Sequence, residues 1–118
     1  MIIDINTHIL PKNLPDLEKK FGYGGWISLE HNPDGTANMI KNGKHFRVVE
    51  CNCWDPGARL EDCQDSGVDL QVLSTIPVMF SYWADPKHTH TLSRILNDDI
   101  AHTVNENPKR FAGLGTIP

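Results

Sequence analysis

The dipeptide Asp-Pro occurs twice, at Asp55-Pro56 and at Asp85-Pro86, and each time it precedes apolar residues at helical spacing. An aspartate caps a helix by accepting from its free backbone N–H groups. A proline fits the first turn, where its missing N–H is not needed. After the first pair, Leu60 and Cys63 fall on one face and Gly67 suits a C-terminal stop. After the second, Leu92, Ile95, Leu96, Ile100 and Val104 form an apolar stripe that Asn107-Pro108 closes. Strand-like runs lie before, between and after these helices, at residues 1–10, 68–74 and 111–116. Strands alternating with helices predict a parallel sheet with right-handed crossovers.

Two architectures satisfy this order: an open doubly wound sheet, and the N-terminal portion of a (β/α)8 TIM barrel. No GxGxxG follows the first strand, which argues against dinucleotide binding. Between the first strand and the first helix, runs at 26–31, 36–41 and 44–49 read as an inserted β-meander spanning 26–49. Asn42-Gly43 is its hairpin signal, because both residues tolerate positive φ. Leu14, Leu17 and Phe21 suggest a turn of helix before it.

The chain has 118 residues, enough for one domain. A full barrel takes about 250 residues, so three core strands do not close one. The run from Phe111 to Pro118 reads as a core strand just finishing. The expectation is a single incomplete domain over 1–118, the front of something longer. Net charge is −4 with no basic run, which argues against nucleic acid and anionic membranes as partners. No stretch approaches the roughly 18 apolar residues of a membrane span. Three cysteines in no framework spacing suit reduced thiols in a cytoplasmic protein.

Chemistry concentrates at the first strand, Asp4-Ile5-Asn6-Thr7-His8-Ile9. Side chains alternate along a strand, so Asn6 and His8 share one face and Ile5, Thr7 and Ile9 the other. Two histidines at positions 6 and 8 would make a chelating pair, but only His8 is one. His88-Thr89-His90 has the same spacing on a predicted helix, where residues two apart diverge by roughly 200°. With His102 on the same helix, that trio reads as surface rather than a metal site. Cys51-Asn52-Cys53 lacks the paired knuckles of a zinc site, and it and Cys63 read as buried or unreactive thiols. Trp54, Phe80, Tyr82 and Trp83 either line a pocket or serve packing.

The stretch from Asp4 to Pro11 resembles the opening strand of the amidohydrolase superfamily. Residues 21–26 (FGYGGW), 46–49 (FRVV), 52–56 (NCWDP), 77–83 (PVMFSYW) and 110–116 (RFAGLGT) are similar to the 2-amino-3-carboxymuconate-6-semialdehyde decarboxylase family within it. The resemblance implies a zinc-dependent barrel enzyme that releases CO2 in the kynurenine pathway of tryptophan catabolism. It also implies a small-molecule carboxylate substrate and a homodimer in which the neighbouring subunit completes the site. His8 falls on a metal-ligand position and Arg47 on a substrate-carboxylate clamp. Asn6 stands where the family has histidine, which makes it a degenerate metal position. The remaining ligands and the catalytic histidine of the family come from strands beyond Pro118, so the chain alone is expected to be inactive. The alternative reading is a non-catalytic relative that binds full-length subunits.

Overall fold

The computed structural model describes residues 1–118. In chain order the elements are β1 (Ile3–Ile9), α1 (Leu17–Phe21), β2 (Ile27–His31), β3 (Ala37–Lys41), β4 (Lys44–Val49), α2 (Pro56–Ser66), β5 (Leu70–Thr75), α3 (Pro86–Glu106) and β6 (Phe111–Gly113). Single 3-10 turns occupy Cys51–Cys53 and Pro77–Met79.

Both Asp-Pro pairs open helices as expected. Asp55 Oδ1 accepts from Gly57 N at 2.9 Å, and Asp85 Oδ1 accepts from Lys87 N at 2.9 Å. Gly67 ends α2 with φ +75, donating to the Cys63 and Gln64 carbonyls. Val68 N also bonds the Cys63 carbonyl, at 2.9 Å. Val68 therefore belongs to the helix stop, and β5 begins at Leu70 rather than at 68.

Two three-stranded sheets form, one parallel in the order β1-β5-β6 and one antiparallel in the order β2-β3-β4. The β3–β4 turn places Asn42 at φ 52 and Gly43 at φ +72, the two positive values that a tight hairpin needs. β6 ends at Gly113 and does not run on to Thr116. Thr116 leaves the sheet because Asn97 holds it, donating to its carbonyl and accepting from its N–H, both at 2.8 Å.

The core has two parts. Leu10, Trp26, Met39, Met79, Leu92 and Leu96 belong to the larger, which joins the antiparallel sheet to the first half of α3. Ile9, Leu73, Ile100 and Phe111 form the smaller, between the parallel sheet and the second half of α3. The helix stripe is broader than its apolar residues, because Thr89, Ser93 and Thr103 are buried too. Thr89 shows how a hydroxyl is tolerated there, donating from Oγ1 to the Ser81 carbonyl at 3.0 Å.

β1 departs from simple alternation. Asp4 pairs with Gln71 but Thr7 pairs with Leu73, so β1 takes one more residue than β5. This is a β-bulge, in which two residues oppose one and alternation is reset. Ile5 and Asn6 together oppose Val72. Thr7 and Ile9 face the helices, but Ile5 is 75% exposed on the face that carries Asn6 and His8. The expectation that Ile5 shares a face with Thr7 and Ile9 is corrected by this extra residue.

Candidate functional site

His8 lies in the last turn of pleat of β1, half-buried, at the C-terminal end of the parallel sheet. Its Nδ1 is 3.1 Å from Ser74 Oγ on the adjacent strand β5. The Ser74 hydroxyl also bonds the Thr7 carbonyl at 3.1 Å, and a carbonyl only accepts. A hydroxyl has one hydrogen, so with that hydrogen on Thr7 the oxygen accepts from His8 Nδ1–H. The neutral ring then keeps its lone pair on Nε2, the state in which imidazole ligates a metal or takes a proton.

The backbone of His8 is held from the other side of the sheet. Arg59 of α2 is 6% exposed. Its Nη1 donates to Thr7 Oγ1 at 2.6 Å and to Gln71 Oε1 at 3.2 Å, and its Nη2 donates to the His8 carbonyl. No carboxylate pairs with it, since the one ion pair in the chain is His102 with Glu106. Burial lowers the guanidinium pKa from its ordinary value, with nearby Cys53 opposing most. A third tie comes from Leu10 N, which donates to the Cys53 carbonyl at 2.8 Å. That bond joins the end of β1 to the segment after β4.

Asn6 is exposed on the open face, and only its backbone N–H is engaged, with Asp4 Oδ1 at 3.2 Å. Arg47 is exposed on β4, paired across the strand with Met39, and its guanidinium lies 5.9 Å from the centre of the Phe46 ring. The structure thus puts Asn6 and His8 on one face but Arg47 in the other sheet.

His88 is a packing residue. Its ring stacks on Phe21 at 4.1 Å and its Nδ1 meets the Tyr23 hydroxyl at 2.7 Å. His102 is exposed beside Glu106 at 3.2 Å. Cys63 is buried, Cys51 and Cys53 are partly so, and burial raises the thiols of Cys53 and Cys63. Trp83 packs on Trp26 at 5.0 Å, and Trp54 meets His31 edge-on at 4.8 Å.

Zinc takes nitrogen, sulfur or carboxylate donors, usually four. The open face offers one imidazole nitrogen and one amide oxygen. No group of three His, Cys, Asp or Glu side chains able to hold a metal ion occurs in the chain. The residues present do not by themselves fit a zinc ion. Ser74 and Arg59 were not singled out from the sequence. The signals were a hydroxyl pair, Ser74-Thr75, ending an apolar strand, and an arginine one residue from Leu60 on the inward face of α2.

No protein-family model matches the chain. It is 55% identical over 116 residues to the 2-amino-3-carboxymuconate-6-semialdehyde decarboxylase of Dictyostelium discoideum, covering 98% of this chain and 32% of that protein. It is 50% identical over 116 residues to the protein of the same name from Caenorhabditis elegans, covering 98% and 29%. Among solved structures, 5-carboxyvanillate decarboxylase from Sphingomonas paucimobilis matches at TM-score 0.51 and 40% identity, over 56% of this chain and 20% of that one. A structure described as an amidohydrolase II matches at TM-score 0.59 over 98% of this chain and 31% of that one; its 22% identity speaks for the fold alone. No helix is long and apolar enough to cross a membrane. By sequence the chain is a homologue of the 2-amino-3-carboxymuconate-6-semialdehyde decarboxylases, and it spans about a third of the length of the relatives it matches.

Proposed function

We propose that this chain is the first-strand portion of a decarboxylase barrel that acts on 2-amino-3-carboxymuconate 6-semialdehyde, with the antiparallel sheet β2-β3-β4 as an insertion after β1. The observation that carries the reading is the tautomer of His8, fixed by Ser74 so that Nε2 is free at the C-terminal end of a parallel strand. Barrel enzymes place their chemistry at that end. Zinc, when bound, would polarise substrate or water as a Lewis acid. His8 would be one donor to it, and the others would come from outside these 118 residues. Arg47 has no carboxylate partner in the chain, and its planar fork suits a substrate carboxylate through two parallel hydrogen bonds. The 118 residues alone would not turn the substrate over.

A second reading is a non-catalytic relative that docks on full-length subunits. Asn6 favours it, since an amide oxygen is a weak donor to zinc. So do Ile3 and Ile5, 48% and 75% exposed on the open face.

The test joins this chain to the remaining part of the Dictyostelium relative and follows loss of substrate absorbance. Asn6→His in that chimera is expected to raise zinc occupancy and rate, and His8→Ala to abolish both. Arg47→Ala is expected to lower kcat/KM by about 10–100-fold, the worth of hydrogen bonds to a charged group. Equal zinc content and equal rate with Asn6 or His at position 6 would remove that position from the metal site. Zinc-dependent turnover by the 118 residues alone would overturn the inactive reading.

A further inference from the structure

Thr75 ends β5 and is 2% exposed, yet its hydroxyl has no hydrogen-bond partner. Buried hydroxyls are nearly always paired, so an orphan at a strand end asks for an explanation. Thr75 lines a cleft of about 190 Å3 where the chain leaves β5 and β6. In parallel sheets this is the end at which ligands bind.

The cleft is built around aromatic surface. Phe80 and Tyr82 line it, their ring centres 5.7 Å apart and their planes 33° apart. Tyr82 is 64% exposed, which is unusual for so large a ring. It is held there by Ser81, a buried residue with φ 57. Positive φ is uncommon for serine and persists only where surrounding bonds enforce it. Those bonds are present. Ser81 Oγ donates to the Met79 carbonyl at 3.2 Å, and the Ser81 carbonyl accepts from Thr89 Oγ1 at 3.0 Å. The segment with Leu114 and Ile117 also lines the cleft, and the two bonds between Asn97 and Thr116 fix it. Ser74, which orients His8, lines the same space.

We propose that this cleft binds a flat, conjugated molecule carrying a hydrogen-bonding oxygen. The π face lies against Phe80 and Tyr82, and the oxygen accepts from Thr75 Oγ–H. The volume suits one ring, since a cavity of about 150 Å3 holds benzene. The inference goes beyond the proposed reaction and does not require it. Binding here by a chain that turns nothing over leaves the inference standing.

The probe is benzoate, titrated into the 118-residue chain while the threonine methyl and tyrosine ring NMR signals are followed. Saturating shifts at Thr75 and Tyr82 are expected. Cyclohexanecarboxylate has the same charge and similar size but is not flat, and is expected to bind about 5–10-fold more weakly. Thr75→Val keeps the shape and removes the hydroxyl. It should weaken benzoate about 5–10-fold without lowering the melting temperature, because no internal hydrogen bond is lost. Tyr82→Ala, at an exposed position, should weaken benzoate by about tenfold with the fold intact. Absence of saturation, equal affinity for the two acids, or unchanged benzoate affinity in either variant overturns the proposal.

Discussion

The guanidinium of Arg59 donates to Thr7 Oγ1 at 2.6 Å, so a buried cation on α2 is tied to the strand end that presents His8. The charge is held by neutral oxygens alone. Truncating such a group strands its partners, so Arg59→Met is expected to destabilise the chain by about 2–4 kcal/mol. Arg59→Lys should recover less than half of that, because a point charge does not reproduce the fork. Urea unfolding midpoints decide this, and a loss under about 0.5 kcal/mol for Arg59→Met would show the bonds to be idle.

Ser74 and His8 make a second prediction. If the serine oxygen accepts from Nδ1–H, Ser74→Ala should let the proton redistribute toward Nε2. Imidazole nitrogen NMR at a pH where the ring is neutral reads the tautomer directly. The stability change should be small, about 1 kcal/mol, since one part-buried bond to the ring and one to Thr7 are exchanged for water. An unchanged tautomer in Ser74→Ala would mean that something else orients the ring.

Gly25 tests how tightly the loop before β2 is packed. It sits at φ +98, and a Cβ there would lie 2.7 Å from the Trp83 ring. Gly25→Ala adds backbone strain and a clash with a ring stacked on Trp26. A loss of about 2 kcal/mol is expected, with quenching of Trp83 altered in the folded baseline. A thermal melt indistinguishable from the parent would refute the packing.

Asp99 gives a pH signature. Burial raises its pKa above the ordinary 3.8, and His102 opposes the shift. A carboxyl whose folded pKa lies above its unfolded one binds its proton more tightly when folded. Its contribution is therefore fully present below the unfolded value and is lost as pH rises through the folded value. Asp99→Asn is expected to raise the melting temperature at pH 7, and the gain should vanish below about pH 4. Melts from pH 3 to 7 check this; a gain that is flat with pH would place the cause elsewhere.

What the sequence determined by itself is local. The Asp55 and Asp85 caps, the Gly67 stop and the Asn42-Gly43 hairpin act within a few residues, so both long helices, the three antiparallel strands and the β1, β5, β6 order could be read from the chain. Asn6 as a departure from a histidine pair was legible for the same reason: it is a matter of identity, not of place. The tertiary structure decided what depends on distant partners. The bulge at Ile5-Asn6 exists only against β5, and it undid the face assigned to Ile5. The free nitrogen of His8 follows from a serine 66 residues away. The buried Arg59 and the orphaned hydroxyl of Thr75 become visible only once helices, strands and the Ser81 turn close around them. Periodicity and capping are short-range and are written in neighbouring residues. Register, burial and hydrogen-bond direction are set between segments, by which groups are left without water when the sheet packs on its helices.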